Sequence, residues 1–229
     1  MSTRQTRHDW GKHRYFLAAL MRTLRRAIGL RFNYVFVGSD RPDFLDANQG
    51  ALAQGYTSQL CTKSDLVDHA SPDNMLTEAF LAEVNWEIHD CAAAFCEGKL
   101  VAYKFAARKR VRLTEQLDVI VPTGFRTTYK AWTHPDHRQN NLSYHLSHVL
   151  HKHCHAKKFR ERTIFYIEST NYASLLHGYL DPRQASLRMG YFGWISVFGR
   201  QIPFNSRWAK RIGYYALRKD DTRTRYYAN

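Results

Sequence analysis

The chain has 229 residues, enough for one domain with a sizeable core and further elements at its ends. Its 44% hydrophobic and 14% aromatic content excludes a disordered chain, while a formal charge of +14 raises nucleic acid and anionic membranes as partners. The charge is lodged at the ends: residues 1–38 hold eight Lys or Arg against Asp9, residues 200–229 hold eight against Asp220 and Asp221, and the span between is nearly neutral. No zinc-finger spacing, RNA-recognition aromatic signature or helix-turn-helix pattern accompanies it, so no specific nucleic acid is expected.

From Tyr15 to Leu30, the residues Phe16, Leu17, Leu20, Met21, Leu24 and Ile28 fall on one face of a helix, with Arg22 and Arg26 opposite. Such a helix either packs on its own domain or lies on an anionic membrane; the β-prone run Leu30 to Val37 favours packing. Arg22 interrupts the apolar run and no small-residue cleavage site follows, which argues against a secretory signal. Ser39 to Asp43 reads as a turn, Gln54 to Cys61 as a strand or a helix start, and Asn74 to Glu87 carries helical spacing through Leu76, Phe80, Leu81 and Val84.

The next segment is a hairpin, with apolar runs Cys91–Cys96 and Leu100–Ala106 joined by Glu97-Gly98-Lys99. The four cysteines, Cys61, Cys91, Cys96 and Cys154, show neither metal spacing nor disulfide density, so buried thiols in a reducing cytosol, and a cytoplasmic location, are expected. Thr127 to Trp132 is strand-like, and Pro135 should end the strand near Thr133. After the turn Pro135-Asp136-His137, Leu142, Leu146, Val149 and Leu150 recur at helical spacing. The amides of Arg138 to Ser143 would then lie at a helix N-terminus and favour an anion.

His145, His148, His151, His153 and His155 crowd this helix, and the 145/148 and 151/155 spacings would suit a shared metal. No carboxylate or patterned cysteine pair completes a site, so a solvated or partly aromatic-packed face, with no metal, is expected. Arg162 to Glu168 is a further strand, followed by Asn171, a helical stretch Tyr172 to Tyr179, and Gly190-Tyr191 opening a strand from Phe192 to Phe198.

The stretch Pro135, Arg138 and Leu146 resembles motif A of the GNAT acyltransferase superfamily, with Asn141 and Ser143 where the family usually has Gly and Gly or Ala. The hairpin before it and the order strand, Asn171, helix, Gly190-Tyr191, strand after it are similar to the same family over about residues 85–198. The resemblance implies an α+β fold: a central mixed, mostly antiparallel twisted sheet flanked by helices, occupying residues 39–199. A basic amphipathic extension (1–38) would precede it and a basic segment (200–229) would follow.

It further implies an acyl-coenzyme A-dependent N-acyltransferase, with acetyl-CoA or another acyl-CoA as co-substrate, no metal, and direct transfer to an amine of a small molecule or protein. Trp132, Thr133, His134, Arg138, Gln139, Asn140, Asn141, Leu142, Ser143, Asn171 and Ser174 would bind the cofactor, with backbone N–H groups of Trp132 to His134 polarising the thioester. Glu168 or His134 would be the base, since an ammonium acceptor must lose a proton and imidazole titrates near neutrality. Tyr179, or Tyr172, would protonate the leaving thiolate. Glu168 equally suits a strand-end salt bridge, and Asn171 a helix cap. A homodimer and a peripheral membrane contact are compatible with the same fold. The alternatives are a non-catalytic GNAT-like module that binds membrane or nucleic acid through its basic ends, and a long-chain N-acyl amino acid synthase.

Overall fold

The computed structural model describes residues 19–38, 52–156, 162–171, 175 and 187–220. In chain order its strands are β1 (Arg31–Val37), β2 (Tyr56–Cys61), β3 (His89–Cys96), β4 (Lys99–Ala107), β5 (Arg110–Arg112), β6 (Leu117–Ile120), β7 (Phe125–Thr133), β8 (Arg162–Glu168), β9 (Leu187–Val197), β10 (Arg200–Asn205) and β11 (Tyr215–Arg218). The chain divides into two compact units, named here by their place in the sequence. The central unit is Gly38–Val111 with Val121–Phe165; the terminal unit is Met1–Val37, Arg112–Ile120 and Tyr166–Asn229. The described residues 19–37 and 200–220 both belong to the terminal unit.

The central unit is built on the expected hairpin. β3 and β4 pair antiparallel and turn through Glu97 and Gly98, at φ 50° and 75°, the two positive values that a two-residue type I′ turn requires. β2 pairs with β3 and β7 with β4, both antiparallel, whereas β8 joins β7 parallel, so the sheet is mixed and mostly antiparallel. Ala92, Ala94, Ala102 and Ala106 leave room on one face for the helix Leu142–Ala156, whose Leu142, Leu146 and Leu150 are buried against them. Buried Arg126 on β7 clamps that helix: its guanidinium donates to the Leu150 carbonyl at 2.6 Å, to Cys154 Sγ at 2.8 Å and to His151 Nδ1 at 3.1 Å. On the other face Leu66, Leu76, Leu81, Tyr103 and Phe105 form a second core.

Several expectations need correction here. Gln54 to Cys61 resolves as a strand, entered through Gly55 at φ 91°. The helix expected over 74–87 shrinks to Glu78–Glu83, capped by the Thr77 hydroxyl, because Asn85 turns the chain: its side-chain oxygen takes the Glu87 N–H and its carbonyl those of Ile88 and His89. The histidine face is not solvated. His148 is buried, and His145, His151 and His153 are half-buried against Ser58, Arg126 and Asp90; the side chain of His155 lies outside the described residues. Among the described residues no metal-binding cluster occurs.

In the terminal unit β9 pairs antiparallel with β1 on one side and β10 on the other, and β6 with β11. β9 starts at Leu187, five residues before the expected Phe192, and ends at Val197, so Phe198 belongs to a turn. Gly193 is obligatory by space: a Cβ there would lie 2.2 Å from the Arg31 carbonyl and 2.4 Å from the Phe204 ring. Phe192, Trp194, Ala209 and Tyr214 are buried. Residues 19–28 are helical, but Leu20 and Ile28 of the apolar stripe stay 41% and 48% exposed, so the stripe is only partly packed; Phe16 and Leu17 lie outside the described residues. No described helix is long and apolar enough to cross a membrane.

Candidate active site

β7 departs from β8 partway along its length. Their parallel register runs from Phe125↔Arg162 to Thr128↔Phe165, while β7 continues to Thr133. Two residues past the last pair, Lys130 takes φ 40° and is skipped in the β4 ladder, where Phe105 faces Tyr129 and Lys104 faces Ala131. A bulge of this kind adds local twist and bends the strand away from a straight neighbour. Lys130 Nζ sits 4.3 Å from the centre of the Phe80 ring, and burial lowers its pKa.

Beyond the bulge the ladder to β4 fixes which amides are committed. The His134 N–H donates to the Val101 carbonyl at 2.9 Å, so His134 cannot polarise a thioester, contrary to expectation. Antiparallel pairs alternate between bonded and non-bonded, so the N–H of Thr133, opposite Ala102, points away from β4. Trp132 stacks on Tyr103 at 5.9 Å and carries His134 edge-on at 5.8 Å.

Pro135 then ends the strand as expected. His134 caps a single 3₁₀ turn, Pro135–His137, and its Nδ1 accepts the Asp136 N–H at 3.3 Å. Arg138 is extended, Gln139 has φ 68° and Asn141 φ 55°, and the long helix opens at Leu142. Asn141, where a glycine was expected, therefore adopts the left-handed conformation that Asn tolerates best among non-glycine residues. Gln139 does the same, which nothing in its side chain announces.

Left-handed residues alternating with others are the backbone pattern in which successive amides converge on an anion. Among the described residues the backbone N–H groups of Gln139, Asn140, Asn141, Leu142 and Ser143 have no hydrogen-bond partner. Gln139, Asn140, Asn141 and Ser143 are exposed, so the cradle is open to a ligand. Five unsatisfied donors at a helix N-terminus fit a pyrophosphate.

Side chains outside the motif hold this loop. The Tyr56 hydroxyl meets His137 Nδ1 at 2.9 Å and accepts from Asn140 Nδ2 at 3.2 Å, and the same amide donates to the His137 carbonyl. Beneath the first helical turn, Lys104 Nζ donates to the Ser143 carbonyl and to Ser147 Oγ, both at 2.7 Å, and burial brings its pKa down to about 8. Neither Tyr56 nor Lys104 stood out in the sequence. Lys104 is a charged residue inside an apolar strand pattern, the one signal that could have found it.

Glu168 and Asn171 belong to the terminal unit, while Ser174, Tyr179 and Tyr172 lie outside the described residues. Glu168 Oε1 accepts from Arg31 at 2.9 Å and from Arg25 at 3.1 Å, an ion-paired strand end. Asn171 starts a helical turn, its carbonyl taking the Leu175 N–H at 3.0 Å.

The mixed, mostly antiparallel sheet with its flanking helices is the fold expected of the family the sequence resembles. The fold is GNAT-like. No protein-family model and no curated protein matches the sequence. Among solved structures, similar folds include a Drosophila protein (15% identity, 76% of this chain and 52% of that one, TM-score 0.50). They also include a conserved Staphylococcus epidermidis protein of unknown function (11%, 76% and 64%, 0.49). A third is a GCN5-related N-acetyltransferase-like protein from Streptococcus suis (13%, 72% and 61%, 0.48). The chain thus spans between 52% and 64% of the length of these three, and the likeness is one of fold.

Proposed function

We propose that the protein is an acyl-coenzyme A-dependent N-acyltransferase. The five-amide cradle at Gln139 to Ser143 carries this conclusion, because N–H donors left unpaired at a helix N-terminus favour an anionic partner. The pyrophosphate of coenzyme A would sit there, with the Arg138 guanidinium adding charge-assisted bonds. The pantetheine arm would follow the freed edge of β7, where the Thr133 N–H can donate to the thioester oxygen.

The transfer is direct. The acceptor amine gives up a proton and attacks the thioester carbonyl; the C–N bond forms, the C–S bond breaks, and the thiolate takes a proton. We assign the base role to His134, which stands at the end of β7 beside the cradle, and give Glu168 the structural role its two arginines indicate. Tyr179 is retained as the proton donor to sulfur. Acetyl transfer to an amine of a small molecule or protein is the simplest form of the reaction.

The test is coenzyme A binding followed by turnover. The intact protein should bind coenzyme A saturably, and thiol release from acetyl-CoA should require an amine. His134→Gln should lower kcat with little change in stability, whereas Glu168→Gln should lower thermal stability more than kcat. Absence of coenzyme A binding, or the opposite split between His134 and Glu168, would overturn the corresponding assignment.

A further inference from the structure

The β9–β10 hairpin of the terminal unit ends in Phe198-Gly199, at φ 47° and 73°, between the paired residues Val197 and Arg200. This is a type I′ turn, whose first central position favours Asn, Asp or Gly and disfavours a bulky side chain. Phe198 is also fully exposed, at 102% of the reference area. Phenylalanine is thus disfavoured here twice, by backbone conformation and by hydration, and buries nothing in return.

The turn is held firmly. Gln116 Nε2 donates to the Gly199 carbonyl at 2.8 Å and Gln116 Oε1 accepts the Gln201 N–H at 2.9 Å, while Thr114 Oγ1 bonds to Gln201 Oε1. Val197 and Ile202, on one face of the hairpin, are 37% and 47% exposed. Ile28, also exposed, reaches the same end of the sheet, because Gly29 lies against Ser196 of β9.

Three cations are carried on segments that reach this end of the sheet. Arg200 follows the turn, Arg26 is on the helix that ends beside Ser196, and the backbone N–H of Lys219 donates to the carbonyl of the bracing Gln116; all three side chains are exposed. The neighbouring acids Glu115 and Asp220 are ion-paired with Arg112 and Arg218. Over its described residues the terminal unit carries twelve Lys or Arg against four Asp or Glu, the central unit eleven against nine.

We infer that this hairpin is an insertion tip for an anionic lipid surface, with Phe198, Val197 and Ile202 entering the headgroup boundary and Arg26, Arg200 and Lys219 meeting lipid phosphates. Charge selects the occupant: a neutral protein partner would satisfy the apolar residues and leave the cations unanswered. Nucleic acid would satisfy the cations, but it gives the aliphatic Val197, Ile202 and Ile28 no apolar phase to enter.

The experiment is vesicle co-sedimentation of the full chain with phosphatidylcholine alone and with 30% phosphatidylserine. Binding should require phosphatidylserine and weaken with added salt. Phe198→Asn, which suits the turn better, should keep or raise the Tm yet weaken vesicle binding about tenfold, the loss expected for one buried aromatic anchor. Arg200→Glu should weaken it further. The inference is overturned by unchanged vesicle binding in Phe198→Asn, by tighter retention of RNA or DNA than of vesicles, or by a dimer in ultracentrifugation that Phe198→Asn dissolves.

Discussion

A two-residue hairpin turn of the same backbone type occurs in each unit, and the two turns differ in one residue. Each has a two-residue turn with positive φ at both positions, Glu97-Gly98 in the central unit and Phe198-Gly199 in the terminal unit. At the first turn the exposed position holds a charged, well-hydrated residue; at the second it holds a fully exposed phenyl ring. Both residues carry the same left-handed backbone, but Glu97 suits an exposed turn by its hydration, so the difference isolates the exposed phenyl ring of Phe198. The same contrast holds across the units. Of the large hydrophobic residues exposed among the described residues, only Met75 lies in the central unit. The central unit instead leaves polar donors unsatisfied, at Gln139 to Ser143. One unit thus presents an unmet hydrogen-bonding demand and the other an unmet apolar one.

That contrast can be broken experimentally, beginning with the cores. Leu146→Ala, at a fully buried site between helix and sheet, should cost about 2–5 kcal/mol in chemical denaturation. Gly193→Val should be at least as damaging, since its side chain would overlap the Arg31 carbonyl and the Phe204 ring. If the units fold independently, hydrogen exchange will show each substitution loosening only its own unit; protection lost in both would mean that they unfold together.

Substitutions in the cradle should act on binding and spare stability. Arg138→Ala combined with Asn141→Asp removes a cation and places a carboxylate among the amides, so coenzyme A affinity should fall about 100-fold while the Tm moves little. A large loss of Tm would show that these residues serve the fold instead.

Lys104 links the cradle to pH. Its folded pKa of about 8 lies below its ordinary 10.5, because burial disfavours the charged form. Between those values the unfolded chain holds a proton that the folded chain lacks, so this group makes stability rise with pH across the window and adds a constant penalty below it. Lys104→Met should therefore lose ground relative to wild type as pH climbs from 8 to 10.5, followed by urea denaturation at each pH. Coenzyme A affinity of the wild type should weaken as pH passes 8, where the charge beneath the cradle is lost, and Lys104→Met should flatten that profile. The smallest effect is expected for Tyr56→Phe, which removes the hydroxyl bracing His137 and Asn140 and should weaken coenzyme A a few-fold, measured by calorimetry.

Much of the central unit was legible because its signals are local. The apolar runs around Glu97-Gly98, the strand stopped by Pro135 and the Leu142/Leu146/Leu150 spacing each declare an element within a few residues. The Asn141 conformation was legible for the same reason. The Lys130 bulge was not, because a bulge is a mismatch between two strands and leaves no mark on either alone. The amide of His134 was misjudged because the alternation along β7 depends on its pairing with Val101. Tyr56 and Lys104 reach the cradle from strands far away in sequence, so no motif window contains them. The histidines show the reverse: their positions suggest a solvated or partly aromatic-packed face, but Ser58, Arg126 and Asp90, from other elements, take three of them as polar partners.

The central claim is that the amides from Gln139 to Ser143 hold the pyrophosphate of coenzyme A. Isothermal titration of the intact chain with coenzyme A, and in parallel with pantetheine, which lacks the pyrophosphate together with the 3′-phosphoadenosine, tests it most directly. Saturable one-to-one binding of coenzyme A at least tenfold tighter than that of pantetheine is predicted. Equal affinity for the two, or no binding of coenzyme A, would contradict it.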